Sequence, residues 1–205
     1  MAAQNKSLIA TERNEADRQA WRDEIAAIDP SRLLFLDETA TPTTLTRLRA
    51  RAPRGERASG TVPHARGQNV TLLASVGPAG MGAAMVLEGA LARESFDAYI
   101  AQLLLPTLVP GQIVVCDRLP VHKSARARAL IEGAGCELRL LPSYSPDFNP
   151  IELAFAKIKQ SLRGAAERTF ADIVAATGPA LDAVTAADAQ GFFAHCGYPL
   201  PGQVL

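Results

Sequence analysis

The sequence predicts an α/β fold, a mixed β-sheet flanked by α-helices, and three observations lead there. Two short, continuous apolar runs, Leu33-Leu34-Phe35-Leu36 and Ile113-Val114-Val115-Cys116, have the form of strands covered on both faces. Helix-period segments alternate with strand-like ones through the second half of the chain. The 205 residues, 48% hydrophobic and 20% charged, suffice for one domain with a sizeable core and fall outside the disordered range.

Taken in order, residues 1–30 are polar and rich in helix formers, and Asp29-Pro30 closes them off, so they read as a helical arm or linker. A domain from 31 to about 190 follows. Its first strand, 33–36, runs straight into Asp37 and is expected to end there. Residues 41–67 are arginine, proline, glycine and threonine with no clear period, a long loop or ragged hairpin. Val70–Val76 and Ala84–Leu87, separated by Gly77-Pro78-Ala79-Gly80, read as a hairpin. Ser95–Leu105 carries Phe96, Tyr99, Ile100 and Leu103 at helical spacing and stops before Pro106. The second apolar strand, 113–116, runs into Asp117. Then come a helix over 123–134 ended by Gly135, a strand over 136–141, a loop over 142–149, a helix over 150–163 and a last helix over 170–184. Residues 191–205 read as a Gly- and Pro-containing tail.

A formal net charge of zero excludes a uniformly basic nucleic-acid binder, though not a local basic surface. No apolar run approaches the roughly 18 residues of a membrane span, and the first residues lack a signal-peptide core, so no membrane partner and an intracellular, cytoplasmic location are expected. Cys116, Cys136 and Cys196 form no paired motif and read as buried, reduced thiols.

Open α/β sheets bind ligands beyond the carboxyl ends of their strands, where Asp37 and Asp117 fall. Either residue alone also reads as a turn or cap residue. A third acid, Glu152, lies in the first turn of a helix that Asn149 suits as N-cap and Pro150 as first residue. Asn149 and Glu152 have capping-box spacing, so Glu152 reads equally as a cap or as a carboxylate kept ionised at a positive helix end. Ile151, Phe155, Ile158 and Leu162 form that helix's core stripe. Lys157, Lys159 and Arg163 read as solvated surface or as contacts to phosphate oxygens.

Three segments, Phe35-Leu36-Asp37-Glu38-Thr39, Asp117-Arg118-Leu119-Pro120-Val121-His122-Lys123 and Leu141-Pro142-Ser143-Tyr144-Ser145-Pro146-Asp147-Phe148-Asn149-Pro150-Ile151-Glu152, resemble the signature blocks of DDE transposases of the insertion-sequence-630 and mariner group. The 34 residues between Asp117 and Glu152 match the separation typical of that group. The resemblance spans about residues 31–200 and implies a ribonuclease-H-like fold. It makes Asp37, Asp117 and Glu152 the catalytic metal ligands for two magnesium or manganese ions, and double-stranded DNA the substrate. It also implies in-line displacement at phosphorus by a water or a DNA 3′ hydroxyl, and a dimer or higher oligomer on DNA. Hard carboxylate oxygens suit such ions.

The chain departs from the group at Arg118, where Asn is usual, and an arginine there is expected to repel metals or compete for the carboxylates. His122 and Asn149 are secondary candidates beside the acids. Arg47, Arg49, Arg51, Arg54, Arg57 and Arg66, against the single acid Glu56, form either a solvated loop or a DNA-gripping surface, which Lys123, Lys159 and Arg163 would extend. No segment resembles the helix-turn-helix modules that precede the catalytic domain in the group, so a truncated or second-frame product, impaired and inhibitory, is the alternative reading. An aspartate-nucleophile phosphatase would need a second Asp where Thr39 stands.

Overall fold

A computed structural model describes residues 10–47, 50–64 and 67–202. Its elements are α1 (Glu15–Ile25), β1 (Leu33–Pro42), β2 (Asn69–Gly77), β3 (Gly80–Glu88), α2 (Arg93–Tyr99), β4 (Ile113–Cys116), α3 (Ala125–Gly133), β5 (Glu137–Leu140), α4 (Pro150–Ala165), α5 (Phe170–Asp182) and α6 (Ala186–His195). The strands form one sheet in the order β3-β2-β1-β4-β5. The β1–β2 and β2–β3 pairs are antiparallel, and β1–β4 and β4–β5 are parallel. This is the mixed, helix-flanked sheet the sequence predicts.

Side-chain alternation along the strands divides the core in two. Leu33, Phe35, Ile113 and Val115 pack with α1, α4, α5 and α6, whereas Leu36, Val114, Cys116 and Leu138 pack with residues of α2 and α3. The central strands bury both faces, which is why they read as unbroken apolar runs. Phe35 pairs with Val115 across β1 and β4. Two residues further on, Asp37 and Asp117 therefore share the face on which α4 packs.

Several expectations need correction. β1 does not end at Asp37 but continues to Pro42, because β2 supplies an antiparallel partner as far as the Pro42–Asn69 pair. The helix read over 95–105 is α2 followed by a π-turn at Ile100–Leu104 and a 3-10 turn at Leu105–Thr107, where Pro106 cannot continue the backbone ladder. The helix read from 123 is a 3-10 turn, Pro120–Lys123, and then α3, which Ser124 caps through its hydroxyl. The tail begins as a helix: α6 runs to His195 behind a capping box made by Thr185 and Asp188, and it buries Ala189 and Phe193.

The helix expected within residues 1–30 is α1, and it is docked into the core through Trp21 and Ile25. Cys116, Cys136 and Cys196 are free and buried. Among the described residues no single helix is long and apolar enough to cross a membrane.

Candidate active site

Asp37 lies in mid-β1, Asp117 directly follows β4, and Glu152 occupies the first turn of α4. All three line one cleft of about 330 Å³ with Arg118, Leu119, Tyr144 and Asn149. Asp37 is buried, Asp117 is about one-third exposed and Glu152 is exposed, so the acids step from the sheet interior to the cleft mouth.

Asn149 separates the two readings of Glu152. Its side chain makes no cap hydrogen bond; its Nδ2 instead donates to Asp37 Oδ2 at 2.7 Å. Glu152 N reaches only the Asn149 backbone carbonyl, so no capping box forms and the Glu152 carboxylate faces the cleft. The N-terminal end of α4 still favours its negative charge.

Asp37 Oδ1 accepts the Glu38 N–H at 2.8 Å. Burial, followed by the like charge of Asp117, pushes the Asp37 carboxyl up to about 7 against the modest pull of that backbone bond.

His122, which the sequence offered only as a secondary candidate, is fully buried against the Phe96 ring, with centroids 5.0 Å apart. Its Nδ1 lies 2.5 Å from Asp117 Oδ1, and its Nε2 lies 2.9 Å from Glu38 Oε2. The second contact is short but off the hydrogen-bond line, and is best described as ionic. Burial opposes the imidazolium, but the two carboxylates outweigh it and raise His122 to about 9. A ligand atom from each of Asp37, Glu38 and His122 falls within a 4.8 Å group. Because both ring nitrogens are committed to carboxylates, we read His122 as the bridge that orients Asp117 rather than as a metal ligand. Glu38 was missed from the sequence; its position beside Asp37, on the opposite face of the strand, was the available signal.

The loop between β5 and α4 is fixed at both ends. Arg18 of α1, 1% exposed, donates from Nη1 and Nη2 to the two oxygens of Asp147 at 2.9 and 2.6 Å, and its guanidinium lies 4.0 Å from the Phe148 ring centroid. Trp21 Nε1 donates to the Tyr198 hydroxyl at 3.0 Å, and that hydroxyl donates to the Phe148 carbonyl at 2.7 Å. Within the loop Tyr144 takes φ 54°, a left-handed conformation that costs a non-glycine residue about 1 kcal/mol.

Arg118 Nε donates to the Leu141 carbonyl at 2.9 Å, and the described residues include no ion pair between Arg118 and the three acids. Lys157 is occupied by Asp188 at 2.6 Å. Lys159 and Arg163 are partly exposed along α4, Lys123 is exposed, and Arg47, Arg51, Arg54 and Arg57 are all exposed. Arg49 and Arg66 lie outside the described residues. The structure thus brings together Asp37, Asp117, Glu152, Arg118 and Asn149 around one cleft, with His122 behind it. Apart from Arg118, none of the described basic candidates lines that cleft.

The donor set fits hard divalent cations, since Asp37, Asp117 and Glu152 offer carboxylate oxygens to one cleft.

The family model described as DDE superfamily endonuclease matches residues 32–174. No curated protein matches the sequence. Among solved structures, the Mos1 transposase paired-end complex with its left transposon end superposes with TM-score 0.75 at 15% identity, over 96% of this chain and 63% of that one. The Mos1 mariner paired-end complex with Mn gives 0.71 at 16%, over 96% and 63%. The catalytic domain of Mos1 mariner transposase gives 0.65 at 14%, over 90% and 87%. At these identities the likeness establishes the fold, and the chain spans less than two thirds of the length of the first of these structures.

Proposed function

Because the chain belongs to the DDE superfamily endonucleases, we propose that it is the catalytic domain of a cut-and-paste DNA transposase, hydrolysing and rejoining phosphodiester bonds at transposon ends with two magnesium or manganese ions on Asp37, Asp117 and Glu152. The observation that carries this reading is the convergence of those three acids on one cleft, from a mid-strand position, a strand end and a helix start.

When bound, the ions lower the pKa of an attacking water or DNA 3′ hydroxyl and stabilise the departing 3′ oxygen. The protein's own part is positional. Asn149 and the Glu38 N–H each hold one oxygen of Asp37, so its carboxylate cannot rotate freely. Asp117 Oδ1 accepts the Leu119 N–H at 2.9 Å as well as His122, which leaves its other oxygen to face the cleft chemistry. Protonated His122 also offsets part of the negative charge that Asp117 and Glu38 bring together. Arg118, held by Leu141, is placed to meet a phosphate rather than a carboxylate.

The proposed partners are double-stranded DNA of the terminal repeats and the target, together with a second copy of the chain on that DNA. Arg47, Arg49, Arg51, Arg54, Arg57, Arg66, Lys123, Lys159 and Arg163 supply phosphate contacts. The proposed location is the cytoplasm, with the nucleoid as the site of action.

The test is metal-dependent nicking of a supercoiled plasmid carrying the element's ends, in Mn2+ and in Mg2+. Nicking is expected to vanish in Asp37→Asn, Asp117→Asn and Glu152→Gln with the fold intact by circular dichroism. Nicking that persists in all three variants overturns the assignment. A parent chain that binds the plasmid but never cuts it points instead to an inhibitory DNA-binding module.

A further inference from the structure

The chain has three tyrosines. Tyr99 and Tyr198 are buried, and their hydroxyls donate to the carbonyls of Ala83 and Phe148. Tyr144 differs in every respect. Its side chain is 56% exposed, its hydroxyl has no partner among the described residues, its backbone is left-handed, and it lines the cleft that holds the three acids. Leu119, 41% exposed, lines the same cleft. Among the described residues few large apolar side chains are exposed, Tyr144 is the sole aromatic among them, and these two share one small cleft. Pro142 and Pro146 stiffen the backbone on either side, and the Arg18–Asp147 pair anchors the segment just beyond. A strained conformation maintained by its surroundings, with an aromatic ring turned to solvent beside a reaction centre, points to a ligand for the ring.

We propose that Tyr144, with Leu119 beside it, is a stacking platform for one unpaired nucleobase next to the phosphate that lies on the acids. This rests on the DNA-cleavage reading above and deepens it. A planar π-face binds any base, so the platform positions the strand without reading its sequence. Extrusion of that base from the duplex favours a frayed or already nicked end over intact duplex. Tyr144 thus acts as a positioning residue for the scissile strand.

The experiment uses the full chain in Ca2+ and a forked duplex with 2-aminopurine in its unpaired 3′ arm, alongside the fully paired duplex. Binding to the fork is expected to quench the 2-aminopurine. Tyr144→Asn tolerates the left-handed backbone but lacks the ring; it is expected to keep the parent's thermal midpoint, lose the quench and bind the fork about ten-fold more weakly. Tyr144→Trp and Tyr144→Phe are expected to restore both. On paired duplex the Asn variant is expected to match the parent.

Equal quench and affinity in Tyr144→Asn overturn the platform, as does failure of Phe to rescue, which would assign the role to the hydroxyl. Nicking by the parent in Mn2+, measured on the same samples with Asp37→Asn as control, separates the two claims. If the acids matter and Tyr144 does not, the platform alone falls. A parent that neither binds nor cuts removes both.

Discussion

Two loops, one lining the cleft of the acids and one joining β1 to β2, are built in opposite ways. Residues 141–149 carry Tyr144 and Asn149 and lead into Glu152; a bidentate ion pair, a cation–π contact and the Trp21-Tyr198-Phe148 hydrogen-bond relay hold them. Residues 43–67 carry six of the chain's seventeen arginines. Their described residues are tied near the base, where Thr43 and Gln68 exchange hydrogen bonds and Arg168 holds the Leu45 carbonyl, and by Arg47, whose Nη2 donates to the Gly164 carbonyl at 3.4 Å. Gly67 allows that closure, since a Cβ there would meet Thr43 Oγ1 at 2.2 Å. From Ala50 to His64 every described residue is exposed. A carboxylate that meets a cation must be held to a fraction of an ångström, whereas attraction to a phosphate backbone acts over a Debye length and needs no fixed geometry. One loop fixes position and the other supplies charge.

The comparison breaks most severely if the held site is indifferent to its own charges. Asp37 is raised to about 7 and His122 to about 9, both above their ordinary values. Each therefore contributes stability that is complete below its unfolded pKa and is lost as pH rises through the folded one. The metal-free protein is expected to lose several kcal/mol of stability between about pH 4 and pH 9. Added Mg2+ should raise the thermal midpoint more at pH 8 than at pH 5.5. A flat midpoint across that range, with or without Mg2+, contradicts the charge assignment.

Next in size, Arg18→Ala strands Asp147 and uncovers Phe148, so chemical denaturation should show a loss of about 2–3 kcal/mol together with slower nicking. Tyr198→Phe removes the relay and should cost about 1–2 kcal/mol in the same measurement. The smallest stability effect is expected in the other loop. Arg51→Gln, Arg54→Gln and Arg57→Gln combined should leave stability within about 0.5 kcal/mol. The same triple variant should lower the slope of log affinity against log salt by about one unit for each phosphate that an arginine no longer neutralises. A triple variant that unfolds early, or an Arg18→Ala that changes only the salt slope, would invert the roles of the two loops.

What the sequence made legible follows the same division between local and distant. The apolar runs, the hairpin turn at Gly77–Gly80, and the Pro150 start of α4 are local signals, and all reappear in the structure. The three acids were legible as separate positions; their convergence needed the sheet order. The continuation of β1 through Thr39 and Thr41 was signalled by their β-branched alternation, but the apolar run before Asp37 masked it. α6 was overlooked although Thr185 and Asp188 have capping-box spacing, because AADAQGFFAH is only weakly amphipathic. Arg18 meeting Asp147, Trp21 meeting Tyr198 and His122 meeting Glu38 each join residues far apart in the chain, and no local pattern encodes them. For Asn149 the local pattern suggested a cap, and a distant carboxylate claimed the side chain instead.

The pairing of Phe35 with Val115 has a further consequence. Neighbouring strands lie about 4.8 Å apart, and that pitch is the backbone's own, beyond the reach of any side chain. The separation of Asp37 from Asp117 is thus gauged by the sheet, much as teeth are spaced on a comb. Lengthening the loop over residues 43–67 would leave that gauge untouched, whereas slipping β4 by a single residue would turn one tooth to the far side.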